Sequence, residues 1–189
     1  MRNYLFALLI LLLLSSCSDS IYLYRIKVYL NASTAKAKTR YLSKDYRSFF
    51  EEKKGEGKNK ADAIKSFLGW DAPLHPDIQI LSYIVTGKEW KVEFIEKNDF
   101  TKPIGYPGWK GTEIIRFNSR KKIEEVLYIP NPDNPSYKNW LQPAIDWLQK
   151  NRSAELNEIY KNGKLVQTSE TAKKWANILK FWKKEVSKK

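Results

Sequence analysis

Residues 77–96 read DIQILSYIVTGKEWKVEFIE, and this stretch decides the fold. Apolar side chains recur at every second position in 77–85 and again in 90–96, on either side of Gly87. A period of two is typical of β-strands, and a short turn joins such strands into an antiparallel hairpin. Both faces of these strands carry apolar residues, so we expect both faces of the sheet to be covered.

Two further strands are predicted at 112–117 and 123–129, separated by the turn residues Asn118 and Ser119. Helices are predicted on both sides of this sheet. Apolar spacings of three and four indicate helices at 21–30 and 34–42 and a third that begins after Asn59. The same spacing predicts helices at 137–150, 153–161 and 169–186. Helices first, strands next and helices last are typical of an α+β fold.

The N-terminus carries a targeting pattern. An apolar run at 5–14 follows the basic start and ends in Leu14-Ser15-Ser16-Cys17. The run is too short to span a bilayer but has the length of a secretory signal core. It resembles a bacterial lipoprotein signal, which implies a signal peptide at 1–16, acylation of Cys17 and an acylated tether at 17–20. Ser18 after the cysteine favours the outer membrane under the sorting rule of such lipoproteins.

Composition narrows the chemistry. The chain has 34 Lys and Arg against 21 Asp and Glu, a formal net charge of +13. This charge favours anionic neighbours such as acidic lipids, or it reflects scattered lysines that only form a solvated surface. Nucleic acid is not an expected partner of an exported chain. One cysteine and one histidine exclude Cys/His zinc sites and relays with two imidazoles. Neither a phosphate-binding loop nor a metal-ligand spacing is present, so we expect no cofactor and no metal.

The order of elements carries a family resemblance. Three helical pieces, with Tyr41-Leu42-Ser43-Lys44-Asp45-Tyr46 before the third, are followed by Phe67-Leu68-Gly69-Trp70-Asp71 and a bent antiparallel sheet. This order resembles the nuclear transport factor two-like, or SnoaL-like, superfamily over 21–133. The resemblance implies a curved sheet wrapped around the N-terminal helices as a cone with an open mouth. Residues 134–189 form a helical extension, expected to pack on that domain. The resemblance supplies no catalytic set that aligns with this chain.

The candidate catalytic residues are Asp71 and His75, which lie in the connection between a helix and a strand. A carboxylate that orients an imidazole serves general acid/base chemistry. The alternative is an Asp71 that binds local backbone and a His75 that is exposed between prolines.

The candidate pocket residues are aromatic or acidic side chains of the predicted sheet and its connections: Trp70, Tyr83, Glu93, Trp109 and Tyr128. Glu93 and Tyr128 would supply an acid and a phenol from neighbouring strands, or form a surface pair. Trp109, in a loop of aromatics, prolines and glycines, suits stacking on a flat ligand, or plugs the core.

Two functional hypotheses follow. The first is a lipid-anchored cell-envelope protein with a non-catalytic role, binding a small molecule or docking an envelope protein. The second is a cofactor-free acid/base enzyme of isomerase, dehydratase or hydrolase type that uses the cone. The apolar stripe of the last helix, which includes Trp175, Leu179 and Trp182, is expected to dock on the domain as a lid or buttress. Its alternative is an acidic membrane interface.

Overall fold

The computed structural model describes residues 20–188. The lipoprotein signal and Cys17 lie outside the described residues. The described chain begins with a helix over 20–30, here α1, and a short helix α2, Ala35–Thr39. Thr34 caps α2, because its side-chain oxygen accepts a hydrogen bond from the Ala37 amide.

Six strands form one curved sheet. They are β1 (Leu42–Phe50), β2 (Lys58–Asn59), β3 (Asp77–Thr86), β4 (Glu89–Lys97), β5 (Trp109–Phe117) and β6 (Ile123–Pro130). The spatial order is β2-β1-β6-β5-β4-β3, in which β1 runs parallel to β6 and every other pair is antiparallel. The predicted antiparallel sheet of four strands is therefore confirmed and extended by two.

Strand β1 corrects the prediction that a second helix extends to residue 42. The helix ends at Thr39, and Leu42–Phe50 is a strand. Its pairing with β6 shifts register between Leu42 and Arg47, which breaks the regular alternation by which strands are identified. The buried Ser43 accepts a hydrogen bond from the Asn118 side chain at 3.2 Å and so holds the start of β1 to the β5–β6 turn.

Helix α1 lies against the concave face of the sheet and makes one hydrophobic core with it. This core contains Ile26, Tyr29, Leu30, Leu42, Tyr46, Trp90, Val92, Ile115, Phe117, Ile123 and Val126. The helix on a curved antiparallel sheet gives the expected α+β cone. The expectation that both faces of the sheet are covered is wrong at β3, where Leu81 and Ile84 are more than half exposed.

Between strands β2 and β3 the chain forms a continuous helical connection. Helix α3, Lys60–Ser66, begins at Asn59, whose side chain accepts hydrogen bonds from the Ala61 and Asp62 amides, as predicted. A π-helical turn, Phe67–Asp71, and a 3-10 turn, Ala72–Leu74, follow.

The C-terminal part contributes helices α4 (Tyr137–Asn151), α5 (Ser153–Ile159) and α6 (Ser169–Val186). A short hairpin is formed by β7 (Tyr160–Lys161) and β8 (Lys164–Leu165). Its two-residue turn consists of Asn162 and Gly163, which both have positive φ. These helices share a second core with the cone's 3-10 turn and its β4–β5 connection. It contains Leu74, Phe100, Ile104, Tyr106, Leu141, Ala144, Leu148, Leu156, Ile159, Ala172, Trp175, Ala176, Ile178 and Leu179.

Candidate functional site

A cavity of about 470 Å³ opens on the concave side of the sheet. Its polar lining includes Tyr29, Lys38, Tyr46, Asp71, Glu113 and Tyr128. The exposed β1–β2 loop borders it through Glu52, Lys54 and Gly57. A smaller space of about 220 Å³ shares Lys38, Asp71 and Glu113 with it and reaches Glu96 and Trp109. The polar groups thus converge from helices and from the sheet on one region.

Glu113 is the central acid of this cavity. It lies on β5 at the same parity as the buried Ile115 and Phe117, so its side chain points to the concave face. Its Oε2 atom is buried and has no hydrogen-bond partner within residues 20–188. Burial raises the pKa of the Glu113 carboxyl to about 7, although the Lys38 ammonium acts in the opposite direction.

Lys38 supplies a positive charge to the cavity from α2. It projects from α2, donates a hydrogen bond to the Tyr29 carbonyl at 3.1 Å, and holds its Nζ 3.8 Å from the centroid of the Tyr29 ring. Burial lowers the pKa of the Lys38 ammonium, and the negative charges of Glu113 and Asp71 partly offset that effect. The ring face and the carbonyl stabilise the charged form in place of water.

Two pairs of aromatic side chains supply neutral polar groups. The hydroxyls of Tyr29 and Tyr46 are hydrogen-bonded at 3.0 Å, and burial raises the pKa of both phenols, that of Tyr46 to about 12. The Trp109 indole N–H donates to the Tyr128 hydroxyl, and burial raises the pKa of Tyr128 to about 12. All three phenols are therefore protonated near pH 7.

Two further acids complete the lining. Asp71 ends the π-helical turn and keeps part of its surface exposed to solvent. Desolvation by the surrounding protein raises the pKa of its carboxyl. Burial also raises the pKa of Glu96, whose Oε1 accepts a hydrogen bond from the Asn98 amide at 3.0 Å. Within residues 20–188 no group of three or more His, Cys, Asp or Glu side chains is placed to hold a metal ion. The two adjoining spaces therefore combine three acids of raised pKa, Asp71, Glu96 and Glu113, with Lys38 from α2, and Lys54 and Lys58 also line the main cavity.

Four of the predicted site residues lie around this region. Asp71 and Tyr128 line the main cavity. Trp109 lines the smaller space, and Trp70 borders a neighbouring space of about 400 Å³ that also touches Asp71. The Trp70 ring packs edge-on against Phe100, so it joins the cavity wall to the C-terminal core.

The other three predicted residues lie elsewhere. His75 has a side chain that is 71% exposed, and its Nδ1 lies 3.0 Å from Asp99, so the expected pairing with Asp71 does not occur. Glu93 is exposed on the convex face, where it accepts a hydrogen bond from the Ser82 hydroxyl at 2.8 Å. It faces outward because the buried residues of β4 are at the opposite parity.

Tyr83 lies on the concave side of β3 but at the far end of the sheet. Its pairing partner is the buried Val92, and its ring stacks on that of Trp90 at a centroid distance of 5.3 Å. The register shift between Ile80 and Ser82 produces this placement, because it moves Tyr83 to the face that Ile80 occupies.

Sequence reasoning missed Lys38, Tyr46, Glu96 and Glu113. For Glu113 the signal was present, because its spacing of two and four from Ile115 and Phe117 assigns it to their face. For Lys38 no comparable signal existed, since a lysine on a five-residue helix without buried residues looks like a solvated side chain.

The comparisons with known proteins concern the fold. The sequence matches no protein-family model and no curated protein. Among solved structures, the chain is similar to a Δ5-3-ketosteroid isomerase from Mycobacterium sp., with 9% identity, a TM-score of 0.48, and coverage of 59% of this chain and 94% of the other. It is also similar to a nuclear transport factor two-like protein of unknown function from Cytophaga hutchinsonii, with 7% identity, a TM-score of 0.44 and coverages of 59% and 88%. A de novo designed protein with a curved β-sheet gives 13% identity, a TM-score of 0.45 and coverages of 65% and 92%.

Proposed function

We propose that this chain is a nuclear transport factor two-like cell-envelope lipoprotein whose cavity binds a small organic molecule. The observation that carries the proposal is the buried Glu113 Oε2, a hydrogen-bond acceptor without a partner within residues 20–188. A buried acceptor left unpaired costs free energy, and a ligand that donates a hydrogen bond recovers it. A volume of about 470 Å³ lies in the range of small-molecule sites.

The lining defines the ligand class. Aromatic rings from Tyr29, Phe67 and Tyr128 surround the acids, so a flat apolar body with one hydroxyl or amino group fits the chemistry. A donor group would meet Glu113, while the apolar body would contact the rings.

A matched pair of probes tests this proposal. We expect 2-naphthol to shift the ¹H–¹⁵N signal of the Trp109 indole and to leave that of Trp175, which is buried in the C-terminal core, unchanged. Glu113→Leu should weaken 2-naphthol binding by about tenfold or more, because a hydrogen bond to a charged or acidic group is lost. Naphthalene, which has no donor, should not lose affinity in the same variant. Equal affinity of 2-naphthol for both proteins would contradict the proposal.

Protein docking is the other non-catalytic role that the sequence left open. If naphthol and naphthalene both fail to shift Trp109, the cavity is closed to small molecules. Crosslinking of an envelope protein to the β1–β2 loop, which borders the mouth, would then favour docking.

A second candidate function is an acid/base enzyme, and the pKa of Glu113 favours it. A carboxyl with a pKa of about 7 exchanges a proton near neutral pH, which a general base requires. In this candidate the acid/base group is Glu113, in place of the separated Asp71 and His75. Tyr128 is the cross-strand partner of Glu113, and its hydroxyl would donate a hydrogen bond to a developing negative charge.

A generic proton-transfer probe tests the enzyme candidate. In 5-nitrobenzisoxazole, a base takes the C–H proton, the electron pair forms the nitrile, and the N–O bond breaks to give a coloured phenolate. An enzyme should accelerate this reaction with a rate that rises through pH 7, and Glu113→Gln should abolish the acceleration. A Glu93→Gln control, on the exposed face, should keep it. Equal rates with and without protein would contradict the candidate.

The membrane anchor is a separate part of the proposal. Its support is the Leu14-Ser15-Ser16-Cys17 pattern, which lies outside the described residues. Among residues 20–188, no helix combines the length and apolarity needed to cross a bilayer. Cys17→Ala should leave an unprocessed chain without the acyl mass that native protein carries. Normal processing of that variant, with partition into detergent, would contradict lipidation.

A further inference from the structure

The described chain begins beside a cluster of cations. The helix start at 20–25 lies against the turn between β5 and β6 and against Tyr41. We define the basic patch by its five members, Arg25, Arg40, Arg120, Lys121 and Lys122. Within residues 20–188, none of the five forms an ion pair with a carboxylate.

Tyr41 organises this patch. The guanidinium carbons of Arg25 and Arg40 lie 5.1 and 5.3 Å from the centroid of its ring, and the Lys122 ammonium lies 5.6 Å from it. Lys122 Nζ also donates to the Arg40 carbonyl at 3.0 Å.

A second aromatic ring and the helix hold the rest of the turn. The Lys121 ammonium lies 5.8 Å from the centroid of the Tyr22 ring, and the Arg25 side chain donates to the Lys121 carbonyl. Four of the five cations, Arg25, Arg40, Lys121 and Lys122, are thus held by rings and carbonyls and not by acids, and Arg120 adjoins them in the turn.

Exposed apolar side chains accompany the charge. Ile21 and Tyr24 are 41% and 54% exposed, and they lie three residues apart on one side of α1. Tyrosine with arginine and lysine at an exposed edge is the combination that suits a lipid headgroup layer.

We infer that the basic patch, with Ile21 and Tyr24, is the face that this protein lays on an anionic phospholipid surface. The inference rests on the proposed lipid anchor. If Cys17 is acylated, three residue steps separate it from Ser20, and an extended chain spans about 10 Å over three residues. The start of α1 is then held at the headgroup layer, and the basic patch beside it meets acidic lipids. Each cation near such a surface strengthens association by about fivefold.

The C-terminal helix does not offer the same opportunity. The centre of its apolar stripe, Trp175 and Leu179, is fully buried in the C-terminal core, so lipid cannot reach these two side chains. Its lysines remain exposed, and two of them, Lys173 and Lys183, provide a control of equal charge.

The test uses the full lipoprotein in two kinds of vesicle, phosphatidylcholine alone and phosphatidylcholine with phosphatidylglycerol as about a third of the lipid. Amide hydrogen exchange is measured at 20–27 and 118–122. We expect exchange in both segments to be about fivefold slower, or more, on the anionic vesicles, and to return to the neutral-vesicle rate at high salt. The double variant Arg40→Glu with Arg120→Glu should lose the protection. The control Lys173→Glu with Lys183→Glu should keep it.

The same exchange rates on both vesicles, or equal loss in the control variant, would overturn the inference. Failure of the anchor gives a different result, because a chain without acylation leaves phosphatidylcholine vesicles and lacks the acyl mass at Cys17. The dependence of exchange on anionic lipid tests the basic patch, and retention on neutral vesicles tests the lipoprotein proposal.

Discussion

Glu113 and Tyr128 are directly paired across strands β5 and β6, so both side chains enter the cavity from the same face of the sheet. The sheet provides the room for this pair at Gly111, where a Cβ atom would lie 2.6 Å from the Tyr128 ring. An acid and a phenol thus lie side by side in the wall of the cavity.

Glu113→Gln should change the pH dependence of stability. The pKa of Glu113 is about 7 in the folded protein, above its ordinary value of 4.5, so the folded state holds a proton that the unfolded chain releases between these values. Stability therefore falls as pH rises from 4.5 through 7. At pH 8 we expect Glu113→Gln to be more stable than native protein by about 2 to 3 kcal/mol, and near pH 4 the difference should vanish.

Denaturant titration at both pH values measures this effect. Glu93→Gln, which changes an exposed acid on the neighbouring strand, is the matched control and should show no such pH dependence. If Glu113→Gln does not raise the free energy of unfolding at pH 8, burial of the native Glu113 carboxylate does not destabilise the folded protein.

Lys38→Met should raise the pKa of Glu113 above about 7, because the ammonium now lowers it. The ¹³C chemical shift of the Glu113 carboxyl followed against pH reports this directly. Lys36→Met removes an exposed lysine from the same short helix and should leave the midpoint unchanged. Equal Glu113 midpoints in the two variants would show that the Lys38 ammonium does not lower the pKa of Glu113.

Gly111→Ala should disturb Tyr128 and the cavity wall. The new methyl group would lie 2.6 Å from the Tyr128 ring and 3.1 Å from Phe94, so both must move. Overpacking of this kind costs about 1 to 3 kcal/mol in stability. Gly69→Ala, where a Cβ meets nothing within 4 Å, should cost nothing. Loss of the hydrogen bond from Trp109 to Tyr128 should appear as a shift of the Trp109 indole proton, and an unshifted signal would contradict the displacement.

Trp175→Ala should unfold the C-terminal helices from the cone. Trp175 is fully buried, contacts the Phe100 and Tyr160 rings, and donates from its indole N–H to the Ile159 carbonyl at 3.2 Å. Truncation of a buried tryptophan costs about 3 to 5 kcal/mol. Trp140→Ala, on the exposed side of α4, should cost about 1 kcal/mol or less. A melting temperature that falls equally in both variants would show that the helices do not depend on this core.

Sequence patterns predicted most elements because each carried a local signal. The alternation of Trp90, Val92 and Phe94 placed these three residues on one face of β4, and all three are buried. Asn59 marked the start of α3 by its capping chemistry. These features depend on residues close in sequence, which a linear pattern records.

The wrong or missing predictions share a physical origin, because they depend on strand register and on contacts between residues far apart in sequence. The shift after Ile80 reverses which residues of β3 face the core, and a single extra residue has no signature in composition. Strand β1 forms by pairing with β6, which lies about 80 residues away along the chain. Local propensity does not encode such a pairing. Lys38 acquires its role from Tyr29 and Glu113, which meet it only in the folded chain.

The ¹³C carboxyl titration of native protein measures whether the cone keeps Glu113 away from solvent and leaves it able to bind a ligand. We expect a Glu113 midpoint near pH 7 that falls when 2-naphthylmethylamine is added, since a bound ammonium stabilises the carboxylate. A midpoint near 4.5 that does not respond to the amine would contradict this expectation, because Glu113 would then be solvated and would have no bound partner.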